Sequence, residues 1–164
     1  FGEDPVIIIE HRSLFNLKDD VPSKPYRVRF GKAVVRKQGG DVTLVTIGCL
    51  LIESLKAAKI LEKENIKVEV IDPRTLTPLD KETVIKSVKK TGRLVVVDPG
   101  WQSFGAAAEI VSTVMEKCAK EIKSSPVRVT LPDSHTPMSL KLEQNYYINV
   151  NDIISGIKKT LLNI

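Results

Sequence analysis

The sequence, 164 residues long, predicts an α/β domain with a parallel or mostly parallel sheet that carries helices on both faces. Runs of β-branched residues alternate with segments whose apolar residues recur at helical spacing, as in successive strand–helix–strand units. Residues 42–47 are almost continuously β-branched or aliphatic, which is typical of a strand covered on both faces. A chain of this length can also bury a core large enough to fold without a disulfide or a metal.

Strands are predicted wherever β-branched and aliphatic residues form a short run. Those runs cover residues 6–9, 42–47, 67–72, 93–98 and 127–131. In the run 67–72, valines alternate with Lys67 and Glu69, and this alternation indicates a less buried position for that strand. Residues 10–40 are interpreted as a linker with short extended pieces.

Four helices are predicted from apolar stripes at helical spacing. Asp80 can cap one of them by accepting a backbone hydrogen bond, and Gly92 can end the same helix. The last helix is expected to be capped near Asn151. The inward-facing residues, in chain order, are Leu51, Leu55, Ala58 and Leu61; Val84 and Val88; Ala107, Val111, Val114 and Cys118; and Ile154, Ile157 and Leu161.

Composition argues against two classes of partner. The formal net charge is +5, but the lysines fall on the polar sides of the predicted helices. The chain's few aromatic residues do not interleave with them as on a nucleic-acid-binding surface, so no nucleic-acid partner is expected. No apolar run approaches the ~20 residues of a membrane span, so no membrane partner is expected. Cys49 and Cys118 are far apart, which favours free thiols in a reducing compartment.

A glycine loop, residues 100–105, has the two glycines of a P-loop at the right spacing. Ala106 and Ala107 stand where that motif needs a lysine and a serine or threonine, so the phosphate-binding mechanism is missing. The loop is therefore interpreted as a packing joint, with Gly105 letting the next helix sit close to the sheet. Trp101 and Phe104 are large apolar groups within the loop, which indicates an interface or a hydrophobic lid.

Two aspartates, Asp72 and Asp98, each end a predicted strand and precede a proline. At the carboxyl ends of adjacent parallel strands, two carboxylates could hold Mg²⁺ or accept a phosphoryl group. A phosphoacceptor domain would also need an acidic pair after its first strand, where this chain has residues 46–49 without one. The preferred interpretation is that each aspartate starts a turn by accepting nearby backbone N–H groups.

The histidine and cysteine residues show no pattern of reactive groups. His11 and His135 lie in no metal-ligand spacing, and His135 is expected in a surface loop. Cys49 follows a strand near a helix N-terminus, which would favour its thiolate, but no nucleophile motif surrounds it. The residues therefore predict no catalytic, cofactor-binding or metal site in this chain.

Several stretches together resemble the β subunit of thiamine-diphosphate-dependent 2-oxo acid dehydrogenases. They are residues 41–45, 70–80, 90–97, the glycine loop with 108–110, and 153–161, and they follow one another in the same order as in that subunit. The resemblance covers essentially the whole chain. The chain resembles the β subunits of pyruvate, branched-chain 2-oxo acid and acetoin dehydrogenases alike.

The resemblance implies a transketolase carboxy-terminal-type fold. That fold is a three-layer α/β/α sandwich whose five-stranded, mostly parallel sheet has one antiparallel edge strand. The chain begins with Phe rather than Met, and we expect it to be a piece of a longer protein. Residues 1–22 are then the end of an upstream pyrimidine-binding domain with its linker, and residues 23–164 form the carboxy-terminal domain.

The resemblance also implies a role. The domain does no chemistry itself. It helps to assemble an enzyme of two α and two β subunits, and the carboxy-terminal part of the β subunits docks the acyltransferase core. The enzyme uses thiamine diphosphate and Mg²⁺, bound by the upstream domain and the α subunit, in bacterial cytoplasm or an organelle matrix. Trp101 and Phe104 become candidates for a subunit interface, which predicts a dimer, and Asp133 and Ile164 become candidates for docking the core.

The segment after the last predicted strand departs from the family. Related β subunits usually continue Pro-Asp-Val-Pro, whereas Ser134 and His135 follow Asp133 here, so residues 132–150 are expected to be less rigid. Two alternatives remain open. The chain could be a stand-alone protein-binding module that reuses the fold, and Trp101 and Phe104 could pack onto the domain's own core.

Overall fold

The sheet of the protein has five strands in the order β1-β3-β2-β4-β5. The structure is a computed structural model that describes residues 5–162. β1 pairs antiparallel with β3 at one edge, and the other neighbours are parallel. This confirms the mostly parallel sheet with one antiparallel edge strand. The strands are β1 (Val34–Lys37), β2 (Val42–Thr46), β3 (Val68–Asp72), β4 (Leu94–Trp101) and β5 (Val127–Leu131).

Helices cover both faces of this sheet, which confirms the three-layer sandwich. On one face, α1 and α5 pack on Val42 and Leu44, and on the other, α2 and α3 pack on Val45 and Ile71. Successive strand residues point to opposite faces, so one buried apolar run supplies both cores. The helices are α1 (Leu51–Glu62), α2 (Lys81–Thr91), α3 (Ala106–Cys118), α4 (Leu140–Glu143) and α5 (Val150–Leu161).

The helix ends follow local side-chain chemistry. Asp80 caps α2 by accepting the Thr83 N–H at 3.1 Å, and Gly92 ends α2 with a φ of 73°, as the sequence predicts. The cap of α5 lies slightly earlier than expected. Asn149 caps that helix in a capping box with Asp152, and the Asn151 N–H donates to the Asn149 side chain at 2.8 Å.

The amino-terminal region differs from the prediction. Residues 6–9 are not a strand, and their side chains are 79–91% exposed. An apolar run forms a strand only where backbone partners pair with it, and none of residues 5–162 pairs with this one. β1 lies instead within the predicted linker, where it pairs with the end of β3. Residues 5–30 are exposed, and the proposed boundary at residue 22 stays a prediction.

The prediction that β3 is less buried is wrong. β3 lies between β1 and β2, and its residues from Val68 to Ile71 are all buried. Glu69 is only 3% exposed. The Lys90 ammonium forms an ion pair with its carboxylate, and the Gly39 N–H donates to the same carboxylate at 3.4 Å. A charged residue in an alternating pattern can therefore be buried when a neighbouring helix supplies its counter-ion.

We expect Glu69→Gln to lower the free energy of unfolding at pH 7 by about 1–2 kcal/mol. Burial alone raises the pKa of Glu69, but hydrogen bonds from Lys90, Ser87 and Gly39 outweigh it and lower that pKa. The carboxylate thus stabilises the fold above the unfolded-state pKa of about 4.3. This contribution is lost as the pH falls through the lower folded-state pKa.

Urea unfolding of parent and variant across pH 7 to 3 measures this effect, and the difference between them should shrink toward acid pH. Glu53→Gln, which removes a carboxylate from a surface ion pair with Lys56, is the control for losing an exposed charge. A Glu69→Gln difference that stays constant over the whole pH range would contradict the expectation.

Candidate functional site

The candidate site lies at the carboxyl end of β4, where the glycine loop meets the segment that follows β5. Trp101 is the last residue of β4 rather than a loop residue as predicted, and it pairs with Leu131. The Gln102 N–H donates to the Leu131 carbonyl at 3.0 Å, and Arg128 Nη1 donates to the Gln102 carbonyl at 2.6 Å. The loop is therefore tied along its length to the neighbouring edge strand.

Asp98 anchors the base of the glycine loop. Its carboxylate is buried, and Oδ1 accepts the Gly100 N–H at 2.8 Å while Oδ2 accepts the Ala107 N–H at 2.9 Å. Both oxygens thus bind backbone donors, one of them in the first turn of α3. A carboxylate at this helix end takes the place that an anionic ligand would need.

Asp72 has the same local role in a more open setting. Its Oδ1 accepts the Arg74 N–H at 2.9 Å, and its Oδ2 pairs with the Arg36 guanidinium at 3.0 Å. The turn interpretation therefore describes both aspartates. The expectation that they lie on adjacent strands is wrong, because β2 separates β3 from β4.

Gly105 allows close packing of the start of α3 against the end of β4, as the sequence predicts. A Cβ at this position would lie 2.5 Å from the Trp101 carbonyl oxygen and 3.2 Å from Oδ2 of Asp98. The φ of Gly105 is −75°, so the position does not need the left-handed freedom of glycine. The loop closes on itself here, and α3 begins at once with Ala106.

Asp133 fastens the tip of the glycine loop to the segment after β5. Its Oδ1 accepts the Ser103 N–H at 2.9 Å, and its Oδ2 accepts the Ser103 hydroxyl at 2.6 Å. These hydrogen bonds lower the pKa of the Asp133 carboxyl, and the bond from the Ser103 hydroxyl has the largest effect. The acid expected to face a partner is thus also an internal support of the loop.

Trp101 is held at the rim of the loop with its ring half-exposed. Its Nε1 donates to the Tyr146 hydroxyl at 3.3 Å, and that hydroxyl donates to the Ser134 carbonyl at 2.7 Å. The His135 ring, in the surface loop as expected, meets the indole edge-on with 6.1 Å between centroids. Polar partners at one edge therefore fix the ring while its apolar surface stays outside.

Phe104 is the most exposed large side chain of the loop. Its ring is fully exposed, and its backbone has a φ of 57°. A non-glycine residue in this conformation costs of order 1–3 kcal/mol and persists only where its surroundings hold it. The alternative in which both rings pack into the domain's own core is wrong.

We call Trp101 and Phe104 the aromatic patch. Beside it lies a cavity of about 620 Å³. It is lined by Trp101, Ser103, Phe104, Asp133, Ser134 and His135.

The remaining candidate residues do not form a reactive site. Burial raises the pKa of the Cys49 thiol, which disfavours its thiolate, and burial likewise raises the pKa of Cys118. Within residues 5–162 no three His, Cys, Asp or Glu side chains are grouped to hold a metal ion. No helix in this range is long and apolar enough to cross a bilayer. Ile164 lies outside the described residues.

Sequence reasoning missed the residues that support the loop. Ser103, Arg128 and Tyr146 carry no motif, and their bonds join segments 26 to 45 positions apart in the chain. Only Asp133 stood out, through its place in a family pattern. The expected looseness of residues 132–150 stays a prediction, although two of their side chains bond to the loop.

Comparison with known proteins identifies the family. The family described as transketolase, C-terminal domain matches residues 31–153. The chain belongs to this family. A solved structure described as a split-gene transketolase, an inactive β4 tetramer, aligns with a TM-score of 0.71 at 30% sequence identity. The alignment covers 88% of this chain and 46% of that one.

The chain is also similar to one kind of enzyme subunit, the pyruvate dehydrogenase E1 component subunit beta. The pyruvate dehydrogenase E1 component subunit beta of Staphylococcus aureus strain Mu50 is 39% identical over 161 residues, which are 98% of this chain. Its counterpart from Bacillus subtilis strain 168 is 38% identical over 159 residues. Each match covers 49% of the relative, so the chain spans about half the length of these curated relatives.

Proposed function

We propose that the chain is the non-catalytic assembly and partner-docking domain of a 2-oxo acid dehydrogenase β subunit. Pyruvate dehydrogenase E1 component β subunits match nearly the whole chain, which supports the enzyme class. The observation that carries the assembly role is the aromatic patch. Polar groups of its loop bond to Asp98 and Asp133, whereas the Phe104 ring is fully exposed.

The proposed enzyme oxidatively decarboxylates a 2-oxo acid and transfers the acyl group to a lipoyl group. Thiamine diphosphate supplies the decarboxylation chemistry, and we assign it and Mg²⁺ to the upstream domain and the α subunit. The glycine loop does not fit a diphosphate, because Asp98 already binds the N–H of Ala107 at the start of α3. Cys49 and Cys118 are both free thiols, which suits a reducing compartment such as bacterial cytoplasm or an organelle matrix.

Co-purification tests the enzyme assignment. When the tagged protein is isolated from its own cells, we expect an α subunit and a lipoyl acyltransferase to accompany it. The isolate should decarboxylate a 2-oxo acid only with added thiamine diphosphate and Mg²⁺. Recovery of the chain without either partner or activity would contradict the proposal and favour the stand-alone binding module.

The first partner in this proposal is a second β subunit, bound through the aromatic patch. Exposed aromatic rings beside a cavity are typical anchors of an interface, and a two-fold axis would pair the patch with its own copy. The solved relative described as a β4 tetramer supports contact between chains of this type. Phe104 gains most from such a contact, since its whole ring is in solvent.

We expect Trp101→Ala with Phe104→Ala to weaken self-association at least 30-fold, the effect of losing about 2 kcal/mol of binding. The parent should be dimeric at ~100 µM in sedimentation velocity, a concentration suited to an interface of micromolar strength. The matched control is Ile60→Ala with Leu76→Ala, which also removes two partly exposed apolar side chains but leaves the patch intact.

Two results would contradict this expectation. One is a parent that stays monomeric at that concentration, and the other is a folded double variant that dimerises as well as the parent. Circular dichroism of both double variants establishes that each is folded.

The acyltransferase core is the proposed second partner, with Asp133 and Ile164 as candidate contacts. Asp133 is exposed, and hydrogen bonds from Ser103 lower the pKa of its carboxyl. A charged rim residue of this kind affects the rate and salt dependence of association more than affinity. Because Asp133 also holds Ser103, its removal would disturb the loop as well as a docking contact.

A further inference from the structure

Tyr146 joins the segment that carries the aromatic patch to the loop that follows β5. It lies after α4, and it is only 9% exposed although it is in the polar region that follows β5. Its hydroxyl donates to the Ser134 carbonyl at 2.7 Å and accepts the Trp101 Nε1–H at 3.3 Å. One oxygen atom thus connects the end of β4 with the loop that carries His135.

The Tyr146 hydroxyl restrains the orientation of the indole ring of Trp101. Trp101 is half-exposed, so its own burial restrains the ring only in part. The His135 ring, itself exposed, adds a T-shaped ring contact, which is less directional than a hydrogen bond. The hydrogen bond to Tyr146 is directional and supplies the missing restraint.

We propose that Tyr146 is a positioning residue for self-association, holding Trp101 in the orientation in which the aromatic patch meets a second copy. The proposal rests on the self-association proposed above. An anchor that is already oriented loses less conformational freedom on binding, so a fixed indole strengthens the contact. Tyr146 acts through its hydrogen bonds to Trp101 and Ser134 rather than as a contact residue, since its own ring is largely buried.

The test uses Tyr146→Phe, which removes the hydroxyl but keeps the buried ring and its edge-on contact with Tyr147. Trp101 is the only tryptophan of the chain, so its fluorescence reports this side chain alone. Iodide quenching is measured at a concentration where the parent is monomeric. Self-association is measured by sedimentation equilibrium, and Tyr147→Phe is the control for losing a neighbouring tyrosine hydroxyl.

We expect Tyr146→Phe to increase iodide quenching and to raise the dissociation constant about three- to tenfold, as for one lost hydrogen bond. Tyr147→Phe should match the parent in both measurements. The unfolding midpoint of each variant establishes that it is folded under these conditions.

Quenching equal to that of the parent overturns the positioning role, whatever happens to association. Increased quenching with unchanged association of a dimeric parent also overturns it, because the orientation would then not matter for binding. A monomeric parent overturns the proposed self-association instead. In that case the quenching comparison alone decides whether Tyr146 orients Trp101.

Discussion

Asp98→Ala is expected to lower the free energy of unfolding by about 2–4 kcal/mol, the effect of leaving one buried and one partly buried N–H group without an acceptor. Those groups belong to Gly100 and Ala107, and the carboxylate is only 4% exposed. The substitution also removes a negative charge from the start of α3, where the helix dipole favours one. The loss should be seen as a lower denaturant midpoint in guanidinium unfolding.

Asp72→Ala is the matched control for this prediction. Asp72 has the same Asp-Pro context and also accepts a backbone N–H two residues on, but its other partner is a surface arginine. Its loss should cost about 1 kcal/mol or less, as for exposed ion pairs. Equal losses for the two variants would show that burial of the Asp98 carboxylate is not the cause.

The architecture follows from patterns that are local in sequence. Residues 42–46 of β2 are all buried because both faces of the central strand are covered, and a continuous apolar run predicts this directly. The stripes of α1, α2, α3 and α5 likewise predict which side of each helix faces the sheet. Asp80 and Gly92 mark the two ends of α2 by their own conformational preferences.

The errors concern residues whose state depends on a distant partner. Residues 6–9 have the composition of a buried strand, yet they are exposed because pairing, not composition, makes a strand. Glu69 has the pattern of a surface residue, yet it is buried because Lys90 approaches from α2. Neither the missing strand partner of residues 6–9 nor the counter-ion of Glu69 can be recognised from the residues next to them in the sequence.

Only part of the candidate site could be predicted, because its other residues come from distant parts of the chain. The missing lysine and hydroxyl beside Ala106 and Ala107 are visible in the sequence and argue against a phosphate site. Tyr146 and Asp133, which support the loop, follow β5 in the sequence. Only folding brings them next to the loop. Trp101 and Phe104, two large apolar residues near two glycines, were nevertheless enough to predict an interface surface here.

Gly105→Val is expected to destabilise the domain by about 1–3 kcal/mol, the usual cost of forcing side-chain atoms into a packed position. The Cβ alone would lie 2.5 Å from the Trp101 carbonyl oxygen, a backbone atom that cannot rotate away. Relief requires the loop to open, which would pull the Ala107 N–H from Asp98 and move the aromatic patch. A lower urea midpoint measures the first effect, and a shift in Trp101 fluorescence measures the second.

Gly40→Val is the matched control for adding a β-branched side chain to the chain. Gly40 is exposed, and a Cβ there would meet nothing within 4 Å. Its φ is outside the left-handed region that favours glycine, so the backbone accepts valine without strain. We therefore expect its midpoint to change little, and a Gly105→Val midpoint equal to that of the parent would contradict the close packing at the start of α3. If the urea midpoint of Gly105→Val falls while Trp101 fluorescence stays constant, the start of α3 is displaced and the aromatic patch is not.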